Sequence, residues 1–175
     1  MIEILRLSHR PFRDKRITTH CALVARAFNA DSIVYSGQKD SKLESTIAKT
    51  AANFGGKFSI SYQKDPIAYI KSRKAANYLI IHLTVYGMPI QDKISSIRNK
   101  DCLIVIGSEK VPPEVYELAD FNISITSQPH SEVAALAIFL HEYYQGKQLK
   151  KQFTMARSEI IPQEKGKLVN SKLYK

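Results

Sequence analysis

Three polar stretches carry the side chains best suited to chemistry, and each follows an apolar run. Ser127-Gln-Pro-His-Ser-Glu132 follows Phe121–Ile125 and opens a helix rich in small residues. Pro129 has no N–H and a fixed φ, so the strand stops there, and Gln128 is driven to extended backbone. Glu132 stands near the helix N-terminus, where the macrodipole favours an acid. Gly107-Ser-Glu-Lys-Val-Pro-Pro113 follows Cys102–Ile106, and Thr84-Val-Tyr-Gly-Met-Pro89 follows Tyr78–Leu83. A parallel sheet brings the loops after its strands to one edge, where small ligands bind. None of these loops is a Walker loop, GxGxxG is absent and no GxSxG elbow occurs, so no nucleotide or hydrolase motif is signalled. Ser131, His130 and Asp120 supply the residue types of a hydrolytic triad, but adjacent residues rarely face one another productively. By itself, Ser127–Gly146 is better served by an ordinary final helix packing its small residues on a sheet.

A second candidate surface is basic. Ser8-His-Arg-Pro-Phe-Arg-Asp-Lys-Arg16 sets Arg10, Arg13, Lys15 and Arg16 against Asp14 alone. Such a loop suits phosphate contacts, with His9 and Phe12 as a stacking surface. A solvated loop, or one that pins a neighbouring subunit, accounts for it equally. Arg26 stands inside the apolar helix Ala22–Phe28, where a long cation must reach solvent or meet an anion. His20, His82, His130 and His141 are scattered, and Cys21 and Cys102 lack CxxC spacing, so small buried thiols and no metal are expected.

The elements that must position these residues alternate. Ile2–Leu7, Ser32–Tyr35, Phe58–Tyr62, Tyr78–Leu83, Cys102–Ile106 and Phe121–Ile125 read as strands. Helices are expected after Thr18-Thr19 as capping residues, over Ser41–Phe54 with Gly55-Gly56 as stop, around Ile67–Lys71, Asp92–Arg98 and Pro113–Leu118, and from His130–Ser131 onward. The near-continuous apolar runs Tyr78–Leu83 and Cys102–Ile106 suit strands covered on both faces. The pattern predicts an α/β fold, a mainly parallel sheet with helices on both faces.

The net charge of +10 points to a polyanion, nucleic acid before membrane surface, since no strongly amphipathic basic helix is evident. No apolar run approaches the roughly 20 residues of a membrane span, and the start lacks a signal peptide's apolar region, so a cytoplasmic protein is expected. Beyond Gly146 the character changes. Lys147–Lys175 has eight Lys or Arg and two Glu, so it supplies +6 of the +10. It reads as a loosely attached tail, or as a basic arm for RNA or a partner subunit.

Taken in order, several segments carry a family likeness: Leu5-Arg-Leu-Ser-His-Arg-Pro11, Arg13-Asp-Lys-Arg16, Thr18-Thr-His20, Ala22–Phe28, His82-Leu-Thr-Val-Tyr-Gly87, Gly107-Ser-Glu-Lys-Val-Pro112, Glu114–Asp120 and Gln128–Leu136. They resemble the SPOUT methyltransferases, and within them the archaeal tRNA (cytidine-56) 2′-O-methyltransferases. The resemblance runs from Ile2 to about Gly146. It implies a C-terminal trefoil knot in the domain 1–146, with 147–175 as a basic extension. It further implies S-adenosyl-L-methionine as cofactor, a homodimer with the site near its interface, and a T-loop cytidine ribose of tRNA as substrate. Another knotted enzyme acting elsewhere on tRNA or rRNA, or a non-catalytic RNA-binding module, remains the alternative.

Carried over to this chain, the resemblance places Leu83 on the adenine side of the pocket. Gly107, Ser108, Glu109, Lys110 and Val111 would meet the cofactor through backbone groups. Ile125, Thr126, Ser127, Gln128, Pro129, His130, Ser131 and Glu132 would close the pocket. Arg26 would be the catalytic arginine. A guanidinium does not readily lose its proton, so its expected part is to stabilise charge or position a phosphate. His130, an imidazole where relatives tend to have asparagine, is a candidate base, with helix capping as its bland role. Ser8 and Asn29 stand where glycine is expected, and each would hold a left-handed backbone at some cost.

Overall fold

The chain is described by a computed structural model covering residues 1–13, 16–107 and 110–171. Its centre is a parallel sheet of six strands: β1 (Ile2–His9), β2 (Ser32–Gly37), β3 (Ser59–Tyr62), β4 (Leu79–Pro89), β5 (Cys102–Ile106) and β6 (Phe121–Ser124). Their spatial order is β3-β2-β1-β5-β4-β6, so β1, β5 and β4 lie side by side at the middle. The expected α/β architecture is therefore the observed one.

Two apolar layers follow from the period-2 alternation of the strands. Ile2, Ile4, Ile81, Leu83, Ile104 and Ile106 face α1 (Ile17–Ala27), α4 (Ile90–Ile97) and α6 (Glu132–Tyr144) through Ala22, Ala25, Ile94, Leu136, Phe139 and Leu140. Helix α2 (Ser41–Phe54) adds Leu43 and Ile47 to that layer. Leu5, Leu7, Ile80, Leu103 and Val105 face the other way, toward α3 (Pro66–Ala75) and α5 (Pro113–Leu118) through Ile70 and Val115.

Alternation also buries one charge of each sign on β1, each needing a partner. Glu3 meets Arg73 Nε of α3 at 2.8 Å, on the α3 and α5 side. Arg6 meets α6 on the opposite side, at 3.0 Å from Glu132.

Three local expectations are corrected. Thr18 does not cap α1. It is buried and bonds His9 Nδ1 at 2.8 Å, while Arg16 occupies the cap position without a side-chain bond. Thr84–Pro89 is not a loop but the continuation of β4, which resumes its pairing with β6 at Met88 after an irregularity. Gly87 allows this, because a Cβ there would lie 2.5 Å from Ile123 N and 2.6 Å from Asn122 O. Ser131, not His130, caps α6, its hydroxyl accepting from Ala134 N at 3.3 Å. Ser8 and Asn29 do take the left-handed backbone expected of glycine, with φ of 57° and 71°.

The basic extension is folded as far as Ser171. A 3-10 turn over Lys147–Lys150 leads to an antiparallel hairpin of β7 (Ser158–Ile161) and β8 (Leu168–Ser171). The segment before it docks on the glycine pair that ends α2. Gly56 N donates to Thr154 O at 3.0 Å, and a Cβ on Gly56 would lie 2.5 Å from the Phe153 ring.

Candidate active site

The carboxyl ends of the three central strands form the floor of a cleft of about 510 Å³. Strand pairing puts Ile106 of β5 between Arg6 of β1 and Leu83 of β4. Thr84, Val85 and Tyr86 continue one wall along β4, and Gly107 and Val111 form the next. The start of α6 closes the far side with Glu132 and Ala135, and Arg10, Arg13 and His130 stand at the rim. β5 stops at Ile106, while β1 runs on to His9 and β4 to Pro89, and the cleft lies over the end of the shorter strand.

Arg6 is the charge at its base. The side chain is 1% exposed, and Nη2 lies 3.0 Å from Glu132 Oε1. Nη1 donates to the Leu7 carbonyl, and Nε is buried with no hydrogen-bond partner among the described residues. Breaking such a pair strands a buried charge, so β1 and the start of α6 are tied together across the cleft. Cys21 lies against Arg6, and burial pushes its thiol up to about 12, so it is an inert neighbour. Gly107 admits Val111, whose Cγ2 would lie 2.2 Å from a Cβ added at that position.

His82 lies on the α3 and α5 side of β4, fully buried and edge-on to the Tyr116 ring at 4.5 Å. His130 is exposed, with Nδ1 3.2 Å from the Ser131 carbonyl, which can only accept.

Of the residues singled out in sequence, the cleft gathers Leu83, Gly107, Val111, His130 and Glu132, together with Arg10 and Arg13. Lys110, Thr126, Ser127, Gln128, Pro129 and Ser131 are exposed and Ile125 is half-buried, all outside the cleft lining. Arg16 is exposed at the start of α1. Lys15, Ser108 and Glu109 lie outside the described residues.

In the single chain Arg26, expected as the catalytic arginine, lies outside the cleft lining. Ile17, at the start of α1, lines the cleft. Nine residues at about 1.5 Å each place Arg26 about 13 Å further along the helix. There its Nη2 donates to Gly55 O at 2.6 Å, and the guanidinium stacks on Phe153 at 4.9 Å. It lines a separate cavity of about 610 Å³ under the C-terminal hairpin. Burial lowers its pKa, but a guanidinium stays charged. The anchor for a cation in an apolar helix is thus a carbonyl and a ring.

Reasoning from sequence passed over Arg6, His82 and Tyr116. Arg6 had a visible signal, a cation flanked by Leu5 and Leu7 within a central strand. His82 and Tyr116 had none, since their meeting depends on β4 and α5 packing together. Among the described residues no group of three or more His, Cys, Asp or Glu is placed to hold a metal, and no helix is long and apolar enough to cross a membrane.

The fold is that of solved SpoU/TrmH structures. The chain is similar to a TrmH/SpoU tRNA modifying enzyme from A. aeolicus, with a TM-score of 0.64 at 14% identity over 85% of this chain and 76% of that one. It is also similar to the SpoU methyltransferase AviRb from Streptomyces viridochromogenes, solved with AdoMet, with a TM-score of 0.60 at 14% identity over 83% of this chain and 57% of that one. Residues 54–170 match the family described as tRNA ribose 2′-O-methyltransferase, aTrm56, and the chain belongs to that family.

Curated relatives carry the name tRNA (cytidine(56)-2′-O)-methyltransferase. The one from Thermococcus kodakarensis is 47% identical over 97% of this chain and 96% of its own length. The one from Thermoplasma volcanium is 50% identical over 97% of this chain but 49% of its own length. A Picrophilus torridus relative is similarly 50% identical over 97% of this chain and 48% of its own, so the chain spans about half the length of these two.

Proposed function

We propose that the chain is a cytoplasmic enzyme that transfers a methyl group from S-adenosyl-L-methionine to the ribose 2′-hydroxyl of cytidine 56 in tRNA. The observation that carries this is the cleft at the carboxyl ends of β1, β5 and β4. It joins a glycine-lined wall, a fixed carboxylate and a rim of arginines, in a chain 47% identical along nearly its whole length to the Thermococcus kodakarensis relative.

The residues present fit such a cofactor. Leu83 and Val111, the latter packed onto Gly107, offer an apolar wall, and Glu132 supplies a carboxylate for an ammonium. Loop 125–131 is the segment that would fold over it. Bound there, the cofactor supplies a methyl group on a positively charged sulfur. The chain must then orient a ribose hydroxyl and receive its proton. Arg10 and Arg13 at the rim suit the flanking phosphates. His130, exposed and lining the same cleft, is the candidate to take the proton. Arg6 holds Glu132 in position from below.

Two further parts of the reading are a knotted thread through the C-terminal half and a homodimer. The dimer is supported by exposed apolar side chains: Leu23 on α1, Ile138 on α6, and Ile160, Leu168 and Val169 on the hairpin. A dimer would also allow Arg26 of one chain to serve the cleft of another.

Incubation of unmodified tRNA with methyl-labelled cofactor, followed by mass spectrometry of fragments, tests the assignment. Label on the ribose of the T-loop cytidine is expected. Label elsewhere overturns the substrate, and tight tRNA binding without label overturns the enzyme.

A further inference from the structure

The most deeply buried polar ring of the cleft has no part in the reaction described above. His82 is completely buried on β4 and yet lines the cleft. Its protonation pattern follows atom by atom from its neighbours. Asn122 Nδ2 donates to the Tyr116 carbonyl at 2.9 Å, and a carbonyl can only accept. That settles which end of the Asn122 amide is oxygen, and this oxygen lies 2.8 Å from His82 Nδ1. An amide oxygen also only accepts, so Nδ1 carries the proton and Nε2 a lone pair. Nε2 is buried and has no hydrogen-bond partner among the described residues. Burial lowers the pKa of the ring, which keeps it neutral. A buried acceptor without a donor is unfavourable, and a ligand donor removes that cost.

We propose that His82 Nε2 accepts a hydrogen bond from the adenosine part of the cofactor, from its exocyclic amine or a ribose hydroxyl, making His82 a specificity residue for that cofactor. This rests on the cofactor reading given above. The surroundings point to a neutral, flat donor. The ring sits against Tyr116 of α5, on the face of the sheet opposite to that of its strand neighbours Ile81 and Leu83. Arg6 and Glu132 belong to the opposite face, toward α1 and α6. An ammonium is drawn to the Glu132 carboxylate, and the phosphates of RNA to Arg10 and Arg13. The uncharged donors of adenosine remain for His82.

Nitrogen-15 NMR of the histidine rings in the full chain tests this without turnover. The free protein should show His82 as the Nδ1–H tautomer, and S-adenosylhomocysteine should shift Nε2 toward a hydrogen-bonded acceptor while the tautomer is kept. Calorimetry with S-adenosylhomocysteine analogues lacking the amine, the 2′-hydroxyl or the 3′-hydroxyl identifies the donor. One analogue should bind about tenfold more weakly, the size of one neutral hydrogen bond, and His82→Phe should erase that difference. An Nε2–H tautomer in the free protein overturns the proposal. So does an Nε2 resonance unmoved by ligand, as a trapped water would leave it, or one moved by tRNA alone. Should S-adenosylhomocysteine not bind at all, the cofactor reading falls and the proposal with it, although the free tautomer would still be observed.

Discussion

Replacing Arg26 by alanine separates a structural arginine from a catalytic one. The side chain is buried, donates to the Gly55 carbonyl at 2.6 Å and stacks on Phe153 at 4.9 Å. A hydrogen bond from a charged donor contributes about 1.5–3 kcal/mol. A largely desolvated cation–π contact adds about 0.5–2 kcal/mol. Against these stands the relief of a buried charge whose Nε has no partner among the described residues. The net loss expected for Arg26→Ala is about 2–3 kcal/mol, in keeping with a buried hydrogen-bonded group.

For a chain of this size that lowers Tm by roughly 5–10 °C. Thermal melts followed by circular dichroism read the shift, and calorimetry with S-adenosylhomocysteine should give a Kd within about twofold of wild type, since the cleft lies about 13 Å away along α1. Arg26→Ala and Phe153→Leu should be coupled by about 1 kcal/mol, because each removes half of the same contact. A variant with unchanged Tm and unchanged cofactor affinity but no turnover would refute the structural assignment. It would show that Arg26 acts in the chemistry of another chain's cleft.

Gly87→Ala places a Cβ 2.5 Å from the backbone of β6, and its neighbours there cannot rotate away. An overpacking cost of about 1–3 kcal/mol is expected, read as a lower denaturant midpoint with weakened cofactor binding. Burial pushes both Cys21 and Cys102 up to about 12, so neither should react with a thiol reagent at pH 8 until the chain unfolds. His82 has its pKa lowered by burial from 6.5, so the unfolded chain binds the extra proton first as pH falls. Its contribution to stability is complete above pH 6.5 and is lost as pH drops below that value toward the folded pKa. The stability difference between wild type and His82→Gln should therefore shrink on acidification, and a pH-independent difference would count against a neutral buried ring.

Much of this protein is decided locally. Alternating apolar runs and helical periods were enough to place all six central strands and their intervening helices, because burial on one or both faces leaves its period in the sequence. Ser8 and Asn29 were legible as left-handed positions, whereas the run of β4 past Leu83 to Pro89 was not. The ordered motifs carried the family. What they could not carry was distance through space. Arg26 looked like a site residue because a cation in an apolar helix demands a partner, but only packing decided that the partner is the turn at Gly55 and the ring of Phe153. Arg6 looked like one strand residue among others until pairing set it beside Ile106 and the start of α6 brought Glu132 to 3.0 Å. Sequence determines which residues can be buried and in what rhythm; tertiary structure alone decides which buried polar groups meet, since that depends on contacts between segments dozens of residues apart.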